Sequence, residues 1–246
     1  MIQGRLKGKI AFITGASSGI GEAIAARFLE EGAAVAGCGR RERSALKHEQ
    51  YSYTAADVTQ FQEAVSALEA ARARFGGIDI VVNSAGITGE GGLETSRSDD
   101  FIRMLQVNVG GTFNVCKASL PFLRQRPHAS IINISSDLGV RAIPDRIAYC
   151  PSKAAVIMLT RCIALELAPR IRANCILPGL VETPMIQGRF EQAVDPDALR
   201  ASLANLYPLK RMGLVEDVAS AAVYLAGEES AFMTGAELAV CGGRQI

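Results

Sequence analysis

Short apolar, β-branched runs alternate with stretches of helical spacing along almost the whole chain. The runs at Lys9–Thr14, Ala33–Cys38, Tyr51–Ala56, Ile78–Asn83, Ser130–Ser135, Ile171–Leu177 and Glu237–Val240 read as strands. Between them, helical patterns cover Gly19–Glu31, Gln60–Phe75, Ser98–Leu123, Tyr149–Leu167 and Val215–Leu225. Strands that are apolar nearly throughout have both faces covered, and their alternation with helices predicts an α/β fold with a doubly wound parallel sheet of about seven strands. No Pro/Ser-rich linker, repeat or low-complexity segment divides the chain, so residues 1–246 are expected to form a single domain. The least regular stretch, 180–209, sets Pro184, Gly188, Pro196 and Pro208 around a short helical pattern and is a candidate lid. Two helical patterns are apolar on more than one face, through Phe101, Leu105, Val109 and Phe113 and through Val156, Leu159, Ile163 and Leu167. One face of each is expected on the sheet, and the other is free to pair with a symmetry mate.

Composition narrows the function. Apolar residues make up 49% and charged residues 21%, an ordinary balance for a globular protein. With 26 basic against 25 acidic residues, the chain lacks the charge excess that binds nucleic acid or an anionic membrane. Cys38, Cys116, Cys150, Cys162, Cys175 and Cys241 are scattered, with no paired metal spacing, which fits free thiols in a reducing cytoplasm. His48 and His128 are the only histidines, too few for a zinc site or a histidine triad to be expected. Neither a signal-peptide layout nor an apolar run of about 18 residues is visible, so no membrane association is expected.

Two clusters carry chemistry. The first strand runs into Thr14-Gly-Ala-Ser-Ser-Gly-Ile-Gly21, which opens a helix. Backbone free of side chains at Gly15, Gly19 and Gly21 lets a pyrophosphate approach the amides of a helix N-terminus, with Ser17 and Ser18 adding hydroxyls and Ile20 between the last two glycines. Tyr149 and Lys153 lie four residues apart at a predicted helix start, hence on one face. A tyrosine beside a fixed cation is expected to have its pKa lowered from about 10 toward working pH, which suits proton exchange with an alcohol oxygen.

Thr14–Gly21, Asn83-Ser-Ala-Gly86, Asn108 in Val-Asn-Val, Ser136 in Ile-Ser-Ser and the Tyr149/Lys153 pair, in this order, resemble the short-chain dehydrogenase/reductase family in its form of roughly 250 residues. The resemblance reaches Pro178-Gly179, Thr183-Pro184 and the terminal Cys241-Gly-Gly. Departures are small: the family's Asn-Asn-Ala-Gly reads Asn-Ser-Ala-Gly here, and its usual Asp-Gly-Gly reads Cys241-Gly242-Gly243. It implies a Rossmann-type fold and a nicotinamide-dependent oxidoreductase interconverting a secondary alcohol and a ketone. It also implies a catalytic set of Asn108, Ser136, Tyr149 and Lys153. Ser136 is preferred to Ser135 because it stands 13 residues before the tyrosine and strand alternation points the two serines oppositely. In family members the lysine also binds the nicotinamide ribose, and the asparagine main chain holds a water beside it. Asp57-Val58 resembles the pair at the adenine; Asn83, Ala85 and Gly86 resemble the segment that stabilises the sheet and flanks the ribose. Pro178, Gly179, Val181 and Thr183 resemble the turn at the carboxamide. A homodimer or homotetramer is implied as well.

The second strand ends Gly39-Arg40-Arg41, with glycine where an acidic residue would select NAD. Arginine forks onto phosphate, so NADP(H) is favoured over NAD(H). The substrate pocket is expected among Asp137, Leu138, Pro144, Arg146, Leu180, Met185 and Ile186. Arg146, three residues before Tyr149, is a candidate for holding a carboxylate or a sugar-like substrate, with a surface or subunit-contact role as the plain alternative. The Arg-x-x-Tyr spacing also resembles family members that act on small hydroxy acids. Two alternatives stand beside this reading. One is a ketoreductase of carrier-bound 3-oxoacyl groups, with Arg124, Arg126, Arg170 and Arg172 as a basic rim for an acidic carrier. The other, more remote, is a dinucleotide sensor without turnover.

Overall fold

The computed structural model describes residues 4–245. Seven strands form one sheet: β1 Ile10–Thr14, β2 Ala34–Gly39, β3 Tyr51–Ala55, β4 Ile80–Asn83, β5 Ala129–Ile134, β6 Ile171–Pro178 and β7 Glu237–Val240. Their order is β3-β2-β1-β4-β5-β6-β7 and every pairing is parallel. The chain therefore winds outward in both directions from the β1/β4 boundary. This reversal opens a crevice beyond the carboxyl ends of the strands, where ligands bind in sheets of this kind.

Pleating explains the near-continuous apolar strands. Ile13, Val82 and Ile132 face one side of the sheet and join Ile24, Phe28, Val218 and Val223 of helices α1 Gly19–Glu30 and α8 Val215–Ala226. Their chain neighbours Phe12, Val81 and Ile131 face the other side, with Leu68 of α2 Phe61–Phe75 and Val115 of α4 Gly111–Leu123. Consecutive side chains thus feed two cores, leaving no polar face to reveal a period of two.

Two elements differ from the expected pattern. The stretch Ser98–Leu123 is three pieces, α3 Ser98–Leu105, a π turn at Gln106–Gly110 and then α4. The turn widens where Asn108 is buried and its side chain brackets the backbone of Ile87, accepting from the amide at 2.8 Å and donating to the carbonyl at 3.0 Å. The stretch 180–209 holds two helices, α6 Pro184–Glu191 and α7 Pro196–Asn205. Each begins with a proline suited to the first helical position. Asp195 caps α7 by accepting from the Ala198 amide at 2.9 Å. The long helix α5, Tyr149–Leu167, has its expected bounds. Among the described residues no helix is long and apolar enough to cross a membrane.

Candidate active site

A cleft of about 610 Å³ lies at the carboxyl ends of β1, β4, β5 and β6. Its floor at one end is the loop from β1 to α1. Gly15 has φ +69, and a Cβ there would stand 2.9 Å from the Ala85 amide nitrogen. A Cβ on Gly21 would lie 2.4 Å from the Gly15 carbonyl oxygen. These two glycines let the loop pack on β4 and on itself. The third, Gly19, faces across the cleft to Thr183, whose Cγ2 would be 3.4 Å from an added Cβ. Ser18 precedes α1 in an extended conformation without a side-chain cap bond, so the first-turn amides keep their anion-binding capacity. Gly21→Ala sets a methyl group against backbone that cannot yield. We expect about 2–3 kcal/mol of lost stability, within the range for overpacking. That lowers Tm by about 4–12 °C in a chain of this size, read by thermal unfolding.

The cleft runs on past Arg40, Arg41, Asp57 and Val58 at one end and past Pro178, Gly179, Val181 and Thr183 at the other. Arg41 donates from Nη1 to the Ser17 carbonyl at 3.1 Å, which lays its side chain along the glycine loop. Asp57 Oδ1 accepts from the Thr59 amide at 2.9 Å. Ala85 and Gly86 line the cleft, but Asn83 does not. The Asn83 side chain is buried between strands, donating to Asn133 Oδ1 at 2.8 Å and to Cys116 Sγ at 3.2 Å. Asn83 thus lies where it ties the strands together, the sheet-stabilising part expected of its segment, while Ala85 and Gly86 face the cleft. Bare backbone along this length, free amides at a helix start and a guanidinium at one end suit an extended diphosphate ligand.

The polar residues gather in the middle. Tyr149 begins α5, and Lys153 follows one turn later with Nζ 5.7 Å from the tyrosine ring centroid. Lys153 is buried and donates to the Ile134 carbonyl at the end of β5 at 3.0 Å. Burial pushes its pKa down to about 8. Burial also pushes the Tyr149 phenol up to about 12; a hydrogen bond with Ser136 works against this rise and the Asp137 charge adds to it. The phenol is therefore not brought toward working pH as the spacing led us to expect: desolvation dominates, and the Lys153 ammonium, engaged by the Ile134 carbonyl, is not among the charges that lower it.

Ser135 and Ser136 do diverge. Ser135 Oγ donates to the Lys153 carbonyl at 2.8 Å, tying β5 to α5, whereas Ser136 Oγ donates to Asp137 Oδ1 at 3.2 Å and accepts from the Leu138 amide at 3.1 Å. Asn108 is within reach of the same group: a Cβ on Gly86 would be 3.2 Å from Asn108 Oδ1 and 3.5 Å from Lys153 Nζ. The Asn108 side chain is spent on Ile87 and on Ser152, to whose Oγ it donates at 3.0 Å.

Asp137, Leu138, Arg146, Leu180, Met185 and Ile186 all line the cleft; Pro144 does not, and its neighbour Ile143 does. Sequence reasoning missed Glu90, Arg141, Arg189 and Tyr207. Arg141 Nη2 pairs with the buried Asp137 carboxylate at 2.7 Å, and its i+4 spacing was a usable signal. Tyr207 accepts from the Leu180 amide at 2.8 Å, and Glu90 pairs with Arg146 at 2.8 Å. The proposed carrier rim is not at the cleft. Arg124, Arg126, Arg170 and Arg172 lie at or just before the starts of β5 and β6, about 20 Å from the opposite strand ends. Arg126 pairs there with Asp79 at 3.2 Å, and Arg172 donates to the carbonyls of Leu225 and Gly227. Among the described residues no group of His, Cys, Asp and Glu is placed to hold a metal ion.

Residues 15–245 match a family model described as Enoyl-(Acyl carrier protein) reductase. The chain is 38% identical to a 2-(R)-hydroxypropyl-CoM dehydrogenase of Xanthobacter autotrophicus, over 95% of this chain and 97% of that protein. It is 37% identical to a 3-oxoacyl-[acyl-carrier-protein] reductase of Thermotoga maritima, over 98% of this chain and 100% of that protein. Its fold superposes on the aldohexose dehydrogenase of Thermoplasma acidophilum with a TM-score of 0.92 at 32% identity, covering 98% of this chain and 95% of that one. A seven-stranded parallel sheet of this order, matched end to end by such relatives, places the chain in the short-chain dehydrogenase/reductase family, as an oxidoreductase that acts on CH–OH groups with a nicotinamide dinucleotide.

Proposed function

We propose that this protein interconverts a small-molecule secondary alcohol and its ketone with NADP(H), using Tyr149 as the acid/base and Ser136, Lys153 and Asn108 as its supporting set. One observation carries the reading: Ser136, Tyr149 and Lys153 line the same cleft as the glycine loop. The residues suited to the dinucleotide are Gly15, Ser17–Gly21, Arg40, Arg41, Asp57, Val58, Ala85, Gly86, Pro178, Gly179, Val181 and Thr183. When bound, the nicotinamide gives or takes hydride at the substrate carbon. Ser136 and Tyr149 hold the substrate oxygen between two hydroxyls, and Tyr149 passes the proton. With the phenol pushed up to about 12, Tyr149 holds its proton at neutral pH and stands ready as an acid, which favours ketone reduction. Lys153, protonated below about 8 and one turn from Tyr149, is placed to hold the nicotinamide ribose. The Asn108 side chain fixes the π turn, and its main-chain carbonyl, which accepts from Thr112 Oγ1 at 2.8 Å, has its second lone pair for the proton path. Residues 180–209, carrying α6 and α7, form the lid of a single-domain enzyme.

The cofactor choice rests on Arg41 beside the glycine loop and on Gly39 in place of an acid. Arg41→Glu should raise KM for NADPH about 10- to 100-fold, the scale of a lost charge-assisted bond. Initial rates with NADPH and NADH decide it, and a strong NADH preference in the wild type sinks the assignment. The same assay with a 3-oxoacyl carrier thioester tests the alternative suggested by the Thermotoga maritima relative. Phe113, Met158 and Leu165 remain exposed on α4 and α5, which supports a homodimer or tetramer built on these helices. The free thiols fit a cytoplasmic setting.

A further inference from the structure

Two tyrosines of the edge strand β3 lie over two glycines of β2. Tyr51 stands opposite Val35 and Tyr53 opposite Gly37 in the parallel register. Both side chains lean along the strand, so each hydroxyl reaches the glycine two residues further on. A Cβ on Gly37 would lie 2.5 Å from the Tyr51 hydroxyl oxygen, and one on Gly39 would lie 3.0 Å from that of Tyr53. The surroundings differ. At Gly37 the added atom would also be 2.8 Å from the Cβ of Ala16, a core residue, whereas at Gly39 it would be 3.4 Å from Ser17 Oγ. Gly39 and Ser17 line the cleft, and the Tyr53 hydroxyl reaches their wall from the sheet edge.

The Tyr53 hydroxyl has two effects there. Its oxygen takes space that any side chain at position 39 would need. It also donates to the Arg41 carbonyl at 3.1 Å, and Arg41 Nη1 in turn donates to the Ser17 carbonyl at 3.1 Å. The first bond straps the turn after β2 to β3 through its main chain, and the second lays the guanidinium along the glycine loop. Desolvation raises the Tyr53 phenol, with a Ser17 hydrogen bond working against the rise, so at neutral pH it keeps its proton and remains a donor. Arg41 is exposed, and a long exposed side chain has rotamer freedom to lose on binding. With main chain and guanidinium both bonded, part of that freedom is already gone before a ligand arrives, which favours affinity. A cradle over Gly39 that holds a neutral hydroxyl beside a guanidinium fits a phosphate on the adenosine ribose, and it offers no carboxylate to a free ribose diol.

We propose that Tyr53 is a positioning residue for the choice of dinucleotide: it holds Arg41 for the 2′-phosphate of NADP and bars the place from which an acidic residue would take up NAD. This rests on the NADP(H) reading above and names a residue behind it. The preference is then shared between two strands. The end of β2 supplies the guanidinium and the missing side chain, and β3 supplies the group that fixes the one and fills the space of the other. A change at Gly39 alone cannot turn the preference toward NAD; it needs a change at Tyr53 as well.

The test is calorimetric: the full chain is titrated with oxidised NADP and with oxidised NAD, without substrate. Tyr53→Phe keeps the ring over Gly39 and removes the strap. It should weaken NADP about 3- to 10-fold, the scale of one hydrogen bond, and leave NAD within about twofold. A hydroxyl that merely supported the sheet would weaken both alike. Gly39→Asp alone should weaken NADP and tighten NAD by no more than about threefold, because its Cβ meets the phenol oxygen. Gly39→Asp combined with Tyr53→Phe should bind NAD at least about tenfold more tightly than Gly39→Asp does, a non-additive gain expected of residues in contact. Should Gly39→Asp fail to fold, Tyr53→Phe decides alone. The proposal is overturned if Tyr53→Phe leaves the preference for NADP unchanged or raises it, or if Gly39→Asp by itself binds NAD as tightly as the double variant. A wild type that binds NAD more tightly than NADP sinks the NADP(H) reading itself, and the proposal with it; a wild type that prefers NADP while Tyr53→Phe keeps that preference sinks the proposal alone.

Discussion

Tyr149→Phe is expected to lower kcat by about 10²- to 10⁴-fold, the usual worth of a positioned proton donor. The substitution removes little else. The phenylalanine ring keeps the place of the tyrosine at the head of α5 and the Lys153 ammonium 5.7 Å from its centroid. Only the hydroxyl, with its bond to Ser136, is lost. Cofactor affinity should stay within about twofold, because the glycine loop and Arg41 do the holding in the proposed complex. Steady-state rates together with a dinucleotide titration separate the two effects. A loss smaller than tenfold would mean that another group moves the proton. Ser136→Ala added to Tyr149→Phe should cost little more, since both hydroxyls act on one oxygen.

The second large effect is on stability in alkali. Cys38, Cys116 and Cys175 are buried free thiols, each pushed by desolvation from 9.0 up to about 12. Between those values the unfolded chain releases thiol protons that the native state retains, so stability falls as pH rises above 9. Each thiol contributes about 1.4 kcal/mol per pH unit. Lys153 opposes them. Its native value near 8 lies below the ordinary 10.5, so across that window the unfolded chain binds the extra proton and stability rises with pH. Three thiols against one lysine leave a net fall of about 3 kcal/mol per pH unit above 9, which steepens above 10, where Tyr149 joins the thiols. Urea unfolding at pH 8, 9 and 10 reads this directly. A stability that changes by less than about 1 kcal/mol between pH 9 and 10 contradicts it, and Cys→Ala at the three positions should flatten the curve.

Much of this molecule could be read from residue order, and what could not was non-local. β1, β5 and α5 were legible because their cause lies within each segment: apolar runs such as Ser-Ile-Ile-Asn-Ile and one continuous helical spacing. The break at Gln106–Gly110 was not, since it depends on Asn108 meeting Ile87, 21 residues away. The glycine loop and the Tyr149–Lys153 pair were visible as local motifs, yet the titration of that pair was misread. Spacing reveals a neighbour but not the burial that dominates both groups. For Asn83 the motif implied both a sheet-stabilising and a ribose-flanking segment, and only the fold shows its side chain spent on Asn133 inside the sheet. Glu90, Arg141 and Arg189 come from three separated segments that only the folded cleft assembles.

The π turn has a further consequence, for chain length. A turn closed by i to i+5 bonds takes up one more residue than an α-turn, so α4 leaves it rotated by about 100° from the phase of α3. Deleting any one residue from Gln106–Gly110 would cancel the extra residue and restore a continuous α-helix with α3 and α4 on the faces they now hold. What would be lost is the widened turn itself, and with it the seat of Asn108 on the Ile87 backbone, while Val115 and Cys116 would keep their places in the core. The packing of both helices is therefore indifferent to the extra residue, and the placing of Asn108 depends on it. Here the number of residues, as much as their identity, encodes the active-site geometry.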